Sequence, residues 1–406
     1  MEMPMVSIKM PLIAFNAHLL VGDASYRSAG ISSYIANLLR HLGQVEAPVR
    51  QGAPFPDGAP SGNGALAYTV LLGGGRLPDD VRGLRVVRSR FETRRPMARI
   101  LWEQTALPLV LRRLGADLLH APAFVGPLLA PCPQVITVHD LSFLRYPEFF
   151  RRGNRLYLSL MTGIACRRAA AVIAVSNFTA QEVVSLLGVP PARIHTVYHG
   201  VDPIFHPLPD ADVARFRHEM GLPERFILHV GTLEPRKNIR RLVRAFALLR
   251  DSELHLVLAG GRGWLYEEIF AEVERLGLTD RVHFPGYVDV ETLPFWYNAA
   301  CIFAYVSNYE GFGLPVLEAL ACGVPTLTST ASSLPEAAGD GALTVPPDDE
   351  IAIADRLNCL LTDVDVRAAL RQRGLAHAAG FSWQETARQT AQVYRKVVMR
   401  GRFELD

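Results

Sequence analysis

Glu310 and Glu318 are separated by seven residues in "SNYEGFGLPVLEALACGVP" (307–325), a stretch otherwise built mostly of glycines and apolar side chains. Gly311 and Gly313 interrupt regular structure, and Pro315 suits the first turn of a helix, where a missing N–H costs nothing. The pattern predicts a helix from Leu314 to Cys322, closed by Gly323 and Pro325 and apolar on every face, hence buried. Glu318 is then the only charge on a buried helix, and Glu310 lies in the loop before it. A buried carboxylate without partners costs several kcal/mol, so both call for a partner. A helix-dipole glutamate turned to solvent, or paired with an arginine, is the plainer reading of Glu318.

A second polar group stands in "GTLEPRKNIRRLVRAFALL" (231–249), which reads as strand end, tight loop and helix, with Asn238 as the expected N-cap. Arg236 and Lys237 occupy the loop. Of 42 lysines and arginines only three are lysines, so a lysine beside an arginine at this turn suggests selection for a compact ammonium. Two cations at a helix start make an anion site, most often for phosphate, against the plainer reading of a solvated loop. In the first half, "SAGISSYIANLLRHL" (28–42) sets Gly30 at a helix opening, where backbone N–H groups can approach a ligand. His139 in "VITVHDLSF", His120 in "LLHAP" and Ser176 in "AVSNFT" end strands, positions where a polar group is either structural or faces a ligand. The turn "GGRG" (260–263) lacks dinucleotide-fingerprint spacing.

The elements that must position these residues alternate along the chain. Short β-rich runs occur at 12–16, 65–72, 84–87, 117–121, 134–138 and 170–175, then at 226–231, 254–260, 281–286, 301–306 and 325–330. Helical patterns fall at 31–42, 97–114, 153–169 and 178–187, then at 239–250, 265–276, 290–299, 314–322 and 350–362. Continuous apolar strands alternating with helices predict parallel sheets covered on both faces. At 406 residues the prior is two domains, and the turn-rich "DPIFHPLPD" (202–210) is the natural boundary. The expected division is 1–203, 204–382 and a terminal helix in 383–406. Ligands of such sheets sit at the carboxyl ends of strands, where Glu310 falls.

Charge and cysteine content narrow the function classes. Residues 1–203 carry 21 lysines and arginines against 13 acids, net +8, and the remainder is net −6. The arginines at 82, 85, 88, 90, 94, 95 and 99, and at 151, 152 and 155, allow an anionic partner or a membrane surface as well as ordinary solvated helices. With a total of only +2 and no reading-helix motif, nucleic acid is not expected as a partner. Five cysteines without paired spacing predict free thiols and no zinc site, and no apolar run approaches membrane-span length. The expected compartment is the cytoplasm.

Taken together, "EPRKN", "EGFGLPVLEALACGVP" about seventy residues later, "GISSY" near the start and "HGVD" at the junction resemble a retaining nucleotide-sugar glycosyltransferase of the family-4 type (glycosyl transferases group 1). "VHDLSF" resembles the bacterial mannosyltransferase branch used in surface polysaccharide assembly. The resemblance covers nearly the whole chain. It implies an α/β fold of two Rossmann-like doubly wound domains facing across a cleft (GT-B type), with the last helix crossing back to the first. It implies transfer of a hexose, mannose from GDP-mannose as the best reading, to a glycan or lipid-linked acceptor, with retention and without a cofactor or metal.

By position, Glu310 and His139 would face the reacting sugar, and Glu318 would take two ribose hydroxyls. Arg236 and Lys237 would hold the diphosphate, and backbone groups of Phe312, Gly313 and Leu314 the donor sugar and phosphate. Gly30 would bring the first domain's backbone to the phosphate, and Val288 would lie near the base. Ser32 stands where relatives often have a second glycine, which bears on that loop's geometry. The possible membrane contact of the basic first domain would be peripheral, at the inner face. A sugar-nucleotide epimerase of the same fold and a non-catalytic nucleotide-sugar binding protein are the alternatives. The latter would keep Glu318 and the cations but needs no Glu310.

Overall fold

Continuous apolar runs become two all-parallel sheets in a computed structural model that describes residues 10–20, 29–45, 66–81, 84–89, 93, 95–150 and 152–403. Of the arginines singled out above, 82, 90, 94 and 151 lie outside the described residues. The chain divides into two compact units: 1–175 with 179–198 and 383–406, and 176–178 with 199–382.

The first unit follows the order β1 (Leu12–Asn16), α1 (Ala29–Val45), β2 (Ala67–Leu72), β3 (Arg85–Arg88), α2 (Pro96–Leu114), β4 (Leu118–Ala121), β5 (Gln134–Val138), α3 (Ser142–Arg145), α4 (Arg152–Arg168), β6 (Ala171–Ala174), α5 (Asn177–Leu187) and β7 (Ile194–Thr196). Its strands lie in the order β3-β2-β1-β4-β5-β6-β7. The inner strands are largely apolar on both faces because helices cover both, as in doubly wound sheets, whereas the edge strands β3 and β7 are exposed or half-buried. Proline at the start of α2 and Gly115 (φ 61°) at its end delimit that helix as a proline–glycine asymmetry should.

The second unit runs α6 (Asp210–Glu219), β8 (Phe226–Val230), α7 (Ile239–Ala247), β9 (His255–Ala259), α8 (Glu267–Arg275), β10 (Val282–Gly286), α9 (Leu293–Ala299), β11 (Ile302–Tyr305), α10 (Leu314–Ala321), β12 (Thr326–Ser329), α11 (Leu334–Ala338), β13 (Leu343–Val345), α12 (Glu350–Thr362) and α13 (Val364–Ala378). Its strand order is β10-β9-β8-β11-β12-β13, so β8 and β11 are neighbours from which the sheet grows in both directions. That junction is the topological switch point, where the loops leaving two adjacent strands part and open a crevice. The final helix, α14 (Trp383–Phe403), belongs to the first unit. Trp383, Ala387, Ala391, Tyr394 and Val398 recur at helical spacing and pack into the core that holds Ile13, Phe15 and Tyr34.

Several elements escape the sequence pattern. β7 and β13 are three-residue edge strands, and α3 and α11 are too short to show a period. α6 has one fully buried side chain, Val213, and α13 buries Leu370, Gly374 and Ala378, a stripe of mostly small residues with no apolar signature. Asn238 is also not the capping residue its type suggests. It sits at the N-cap of α7 with φ 59° and makes no capping bond. Its amide instead donates to Val306 O (3.0 Å) and Pro347 O (2.6 Å), tying the turn to the loops after β11 and β13. Asp-x-Asp stretches occur at 210–212 and 363–365, and both open helices: Asp212 pairs with Arg215, and Asp363 caps α13 through Val366 N (3.0 Å). No described helix is long and apolar enough to cross a membrane.

Candidate functional site

β8 delivers its chain through Gly231 to a single 3-10 turn, Pro235–Lys237, and neighbouring β11 delivers residues 306–313 before α10 begins. The two loops are joined through their backbones, Asn308 N donating to Arg236 O (3.0 Å). Arg236 Nη1 donates to Tyr309 O (2.8 Å) and to Glu310 Oε2 (3.0 Å), while its Nε and Nη2 grip Glu234 Oε1 at 3.0 and 2.8 Å. Lys237 Nζ donates to the opposite oxygen of Glu310 (2.8 Å) and to the Tyr305 hydroxyl (2.6 Å), which itself donates to Glu310 Oε1 (3.0 Å). An ammonium carries three protons, so one Lys237 donor is left over among the described residues.

Electrostatics decide the charge of this cluster. Burial alone would push the Glu310 carboxyl up, but Arg236 and Lys237 outweigh it and hold it at about 2. Burial lowers Lys237 in spite of the Glu310 charge beside it. The Tyr305 phenol is raised, first by burial and then by Glu310, so it stays protonated and a donor. Beneath it His229 is fully buried, stacked on the Tyr305 ring at 5.4 Å, and pushed by burial to about 4, hence neutral.

The backbone around Glu310 is fixed as tightly as its side chain. Glu310 N donates to Ser332 Oγ (2.8 Å), and Ser333 Oγ lies 2.9 Å from both Glu310 O and Phe312 O. Ser176 Oγ donates to Gly311 O (2.7 Å). Gly313 has φ 111°, and a Cβ there would lie 2.8 Å from Leu334 Cδ2, so only glycine lets residues 312–314 turn into α10 against α11. Phe312 and Gly313 are buried and Leu314 is half-buried, opening α10.

Glu318, in the second turn of α10, belongs to a different network. Tyr297 OH donates to Glu318 Oε2 (2.8 Å), and the other oxygen has no partner among the described residues. The residue is partly rather than fully buried, against the expectation of a helix enclosed on every face. Burial, with Asp202 adding repulsion against the Tyr297 bond, raises its carboxyl to about 7. Two carboxylates on one segment are thus pushed in opposite directions, Glu310 held at about 2 by its two cations and Glu318 raised to about 7 by burial.

Other expected site residues are dispersed. Val288 is half-buried in the loop after β10, at the same end of the sheet as the cluster but two strands from β8. Gly30 and His139 are in the first unit. Gly30 is the second residue of α1, exposed, with open space where a Cβ would stand; the residues before it, 21–28, are not described. His139 follows β5, where its Nε2 meets Pro122 O (2.7 Å) and its ring meets the Tyr34 edge at 4.8 Å. Burial lowers its pKa, so the ring is neutral and Nε2–H is the donor. His120 is structural: fully buried and held neutral near 3, it bridges Tyr394 OH (2.5 Å) and Thr137 Oγ1 (2.8 Å). Sequence reasoning missed Tyr305, Tyr297, Ser332 and Ser333. The signal for Tyr305 was a hydroxyl in the otherwise apolar "CIFAYV", five residues before Glu310.

The model of the glycosyl transferases group 1 family matches residues 210–377, and that of glycosyltransferase family 4 matches 28–205. The chain is 36% identical over 280 residues to the O-antigen chain mannosyltransferase B of Escherichia coli, covering 68% of this chain and 73% of that one. It is 33% identical to the serotype-specific mannosyltransferase WbdA of Escherichia coli, over 63% of this chain and 32% of that relative, so it spans about a third of WbdA's length. Among solved structures, sucrose-phosphate synthase from Thermosynechococcus elongatus superposes with a TM-score of 0.72 at 22% identity, over 96% of this chain and all of that one, a likeness of fold.

Proposed function

The chain belongs to the group 1 glycosyltransferases, with the GT-B type of fold, and on that premise we propose that it moves a hexose from a nucleotide-diphosphate sugar to a glycan or lipid-linked acceptor in surface polysaccharide assembly. Mannose from GDP-mannose is the donor favoured by the likeness to the O-antigen mannosyltransferase. The observation that carries the reading is the meeting of Arg236, Lys237 and Glu310 at the switch point of the second sheet.

In this reading Arg236 and Lys237 stabilise the charge that grows on the leaving diphosphate as the glycosidic bond breaks, usually the largest catalytic contribution. Lys237 has a donor to spare for a phosphate oxygen, and Glu310 fixes the orientation of both cations. N–H groups of residues 312–314 reach the donor sugar and phosphate, and Val288 lies by the base. Glu318 receives the ribose diol: with one oxygen on Tyr297 OH and the other without a partner among the described residues, it has acceptor capacity left for two hydroxyls. Gly30 and His139 serve from the first unit, His139 as a neutral ring beside the sugar.

Retention follows by attack on the face the leaving group departs from, with the diphosphate accepting the acceptor's proton. A double displacement would need a free carboxylate oxygen at the anomeric carbon. Both oxygens of Glu310 are already engaged, by Lys237 and Tyr305 on one side and Arg236 on the other, which supports the single-face route. The reaction would take place in the cytoplasm, with the basic first unit in peripheral contact with the inner membrane face. Turnover of a panel of nucleotide sugars, with and without mannosyl acceptors, tests the proposal. Transfer from GDP-mannose with retained anomeric configuration is expected; release of nucleotide from none of the donors would overturn it.

A further inference from the structure

After β4 the chain runs "HAPAFVGPLL" (120–129), and Phe124 there has φ 59°, in the left-handed region that disfavours a bulky side chain. Val125 N donates to Ala123 O (2.6 Å), so residues 123–125 form a γ-turn of the positive-φ form, the rare and strained one. The flanks hold the turn in place. Phe124 N donates to Thr137 O of β5 (2.9 Å), and Val125 is buried. Gln104 of α2 bonds Gly126 O (3.3 Å) and Leu128 N (3.0 Å), and Gln134 Nε2 donates to Pro127 O (2.9 Å). Strain of this kind persists only where its surroundings over-determine it.

Glycine would adopt this backbone without penalty, and the chain uses it widely: among the described residues ten glycines have positive φ, against four residues of other types. Two of those four serve the cluster around Glu310, Asn238 by tying its turn to Val306 O and Ser332 by accepting from Glu310 N. The Phe124 ring has a comparable object. Its centroid lies 5.9 Å from that of His139, edge to face at 70°, while Pro122 O, two residues earlier, accepts from His139 Nε2 (2.7 Å). One turn thus touches the imidazole twice, at a ring nitrogen and through an aromatic edge, and Tyr34 meets the same ring at 4.8 Å. Buried Phe143 of α3 backs the Phe124 ring, again edge to face at 5.9 Å. Core packing alone does not account for phenylalanine here, because the residue is only half-buried.

We propose that Phe124 is a positioning residue for transfer, its strained turn clamping His139 so that the imidazole keeps one orientation and its proton on Nε2. The inference rests on the reading that His139 stands beside the reacting sugar, and it deepens that reading by naming what aims the ring. Aim matters because a displacement of ~1 Å in a reacting group can lower the rate about 100-fold. Glycine at 124 would keep the turn, relieve its strain and lose the clamp, so stability and rate should part company.

Phe124→Gly, Phe124→Tyr, His139→Ala and the Phe124→Gly/His139→Ala double variant of the full chain test it, through transfer from GDP-mannose to a mannosyl acceptor, GDP affinity and Tm. Phe124→Gly is expected to keep its Tm, GDP affinity and donor KM, with kcat lower by about tenfold or more. Phe124→Tyr keeps the ring and should retain most of the rate. In the double variant the glycine should cost little beyond His139→Ala alone, because the clamp then has nothing to hold. An equal cost of glycine in both backgrounds, a loss of kcat that tracks a lower Tm, or parental kcat in Phe124→Gly would overturn the proposal. Parental turnover in His139→Ala would remove His139 from the sugar, and the inference with it. If Phe124→Gly does not fold, Phe124→Asn takes its place, since asparagine also tolerates positive φ. The glycosyltransferase reading fails separately, by a parent that transfers from no nucleotide sugar. The clamp is then judged by NMR of isotope-labelled histidines, the His139 signal being the one lost in His139→Ala. A single Nε2-protonated tautomer in the parent that becomes a mixture in Phe124→Gly supports the clamp; identical spectra sink it.

Discussion

Lys237 Nζ and Glu310 Oε1 lie 2.8 Å apart, each side chain only 10% exposed, and the pair joins loops that are 73 residues apart in the chain. With Arg236 on the other oxygen, Glu310 is the hub that holds two cations in fixed places. The cations assigned to the diphosphate are thus also structural, and any test must separate the two roles.

Removing one partner of a buried ion pair leaves an uncompensated charge, at about 3–5 kcal/mol. Lys237→Met should therefore destabilise the protein, and adding Glu310→Gln should recover a large part of the loss. Affinity for GDP should not recover, because the phosphate contact, worth roughly 1.5–3 kcal/mol, is absent in both variants. Denaturant melts and calorimetry on the two singles and the double measure this cycle; nucleotide affinity that returns with stability would remove Lys237 from the binding site.

The two glutamates should differ in kind. Glu310→Gln should lower kcat by two or more orders of magnitude, about 3 kcal/mol of transition-state stabilisation, with GDP binding changed far less. Glu318→Ala should weaken nucleotide binding by roughly 1–3 kcal/mol through lost bonds to hydroxyls. Similar behaviour of the two would make Glu310 a loop carboxylate and favour a non-catalytic binder.

Glu318 predicts a pH dependence. Its carboxyl stands at about 7, and the protonated form has lost an acceptor for the ribose diol. GDP affinity should accordingly fall as pH drops through 7, and Glu318→Gln should flatten the part of the profile that phosphate protonation does not explain. Affinity profiles that overlay in parent and variant would count against the diol assignment.

The same residue should cost stability. Its folded pKa of about 7 exceeds the ordinary 4.5, so the contribution is fully favourable below 4.5 and is lost as pH rises through 7. At pH 8 the ionised group is a burden, at most on the order of 3 kcal/mol at 1.36 kcal/mol per unit. Glu318→Gln is expected to raise Tm by several degrees at pH 8 and to change it little at pH 5. A lower Tm at pH 8 would show that Tyr297 and Glu318 stabilise the ionised form.

If Arg236 and Lys237 carry the leaving group's charge, chelation should leave transfer largely intact. Loss of activity in EDTA with rescue by magnesium or manganese would assign that role to a divalent ion.

Elements that are long, or apolar on both faces, could be read without coordinates. Burial on both sides forces continuous runs such as "FILHV" and "HLVLA", and α10 announced itself by Pro315 and Gly323. The glutamates and the two cations were legible for a related reason, since charges in apolar or glycine-rich surroundings need partners. The partners themselves were not. Tyr305 and Tyr297 look like ordinary strand and helix residues until the fold aims their hydroxyls at Glu310 and Glu318, and Ser333 looks like a loop residue until its hydroxyl meets Glu310 O and Phe312 O. Asn238 carried the right type for a helix cap and was drawn instead to Val306 O and Pro347 O, carbonyls 68 and 109 residues away. Local sequence determines which segments are buried and where a charge has to be answered. Only the tertiary structure decides what answers it, because the energies that set Glu310 near 2 and Glu318 near 7 come from groups brought together by strand order.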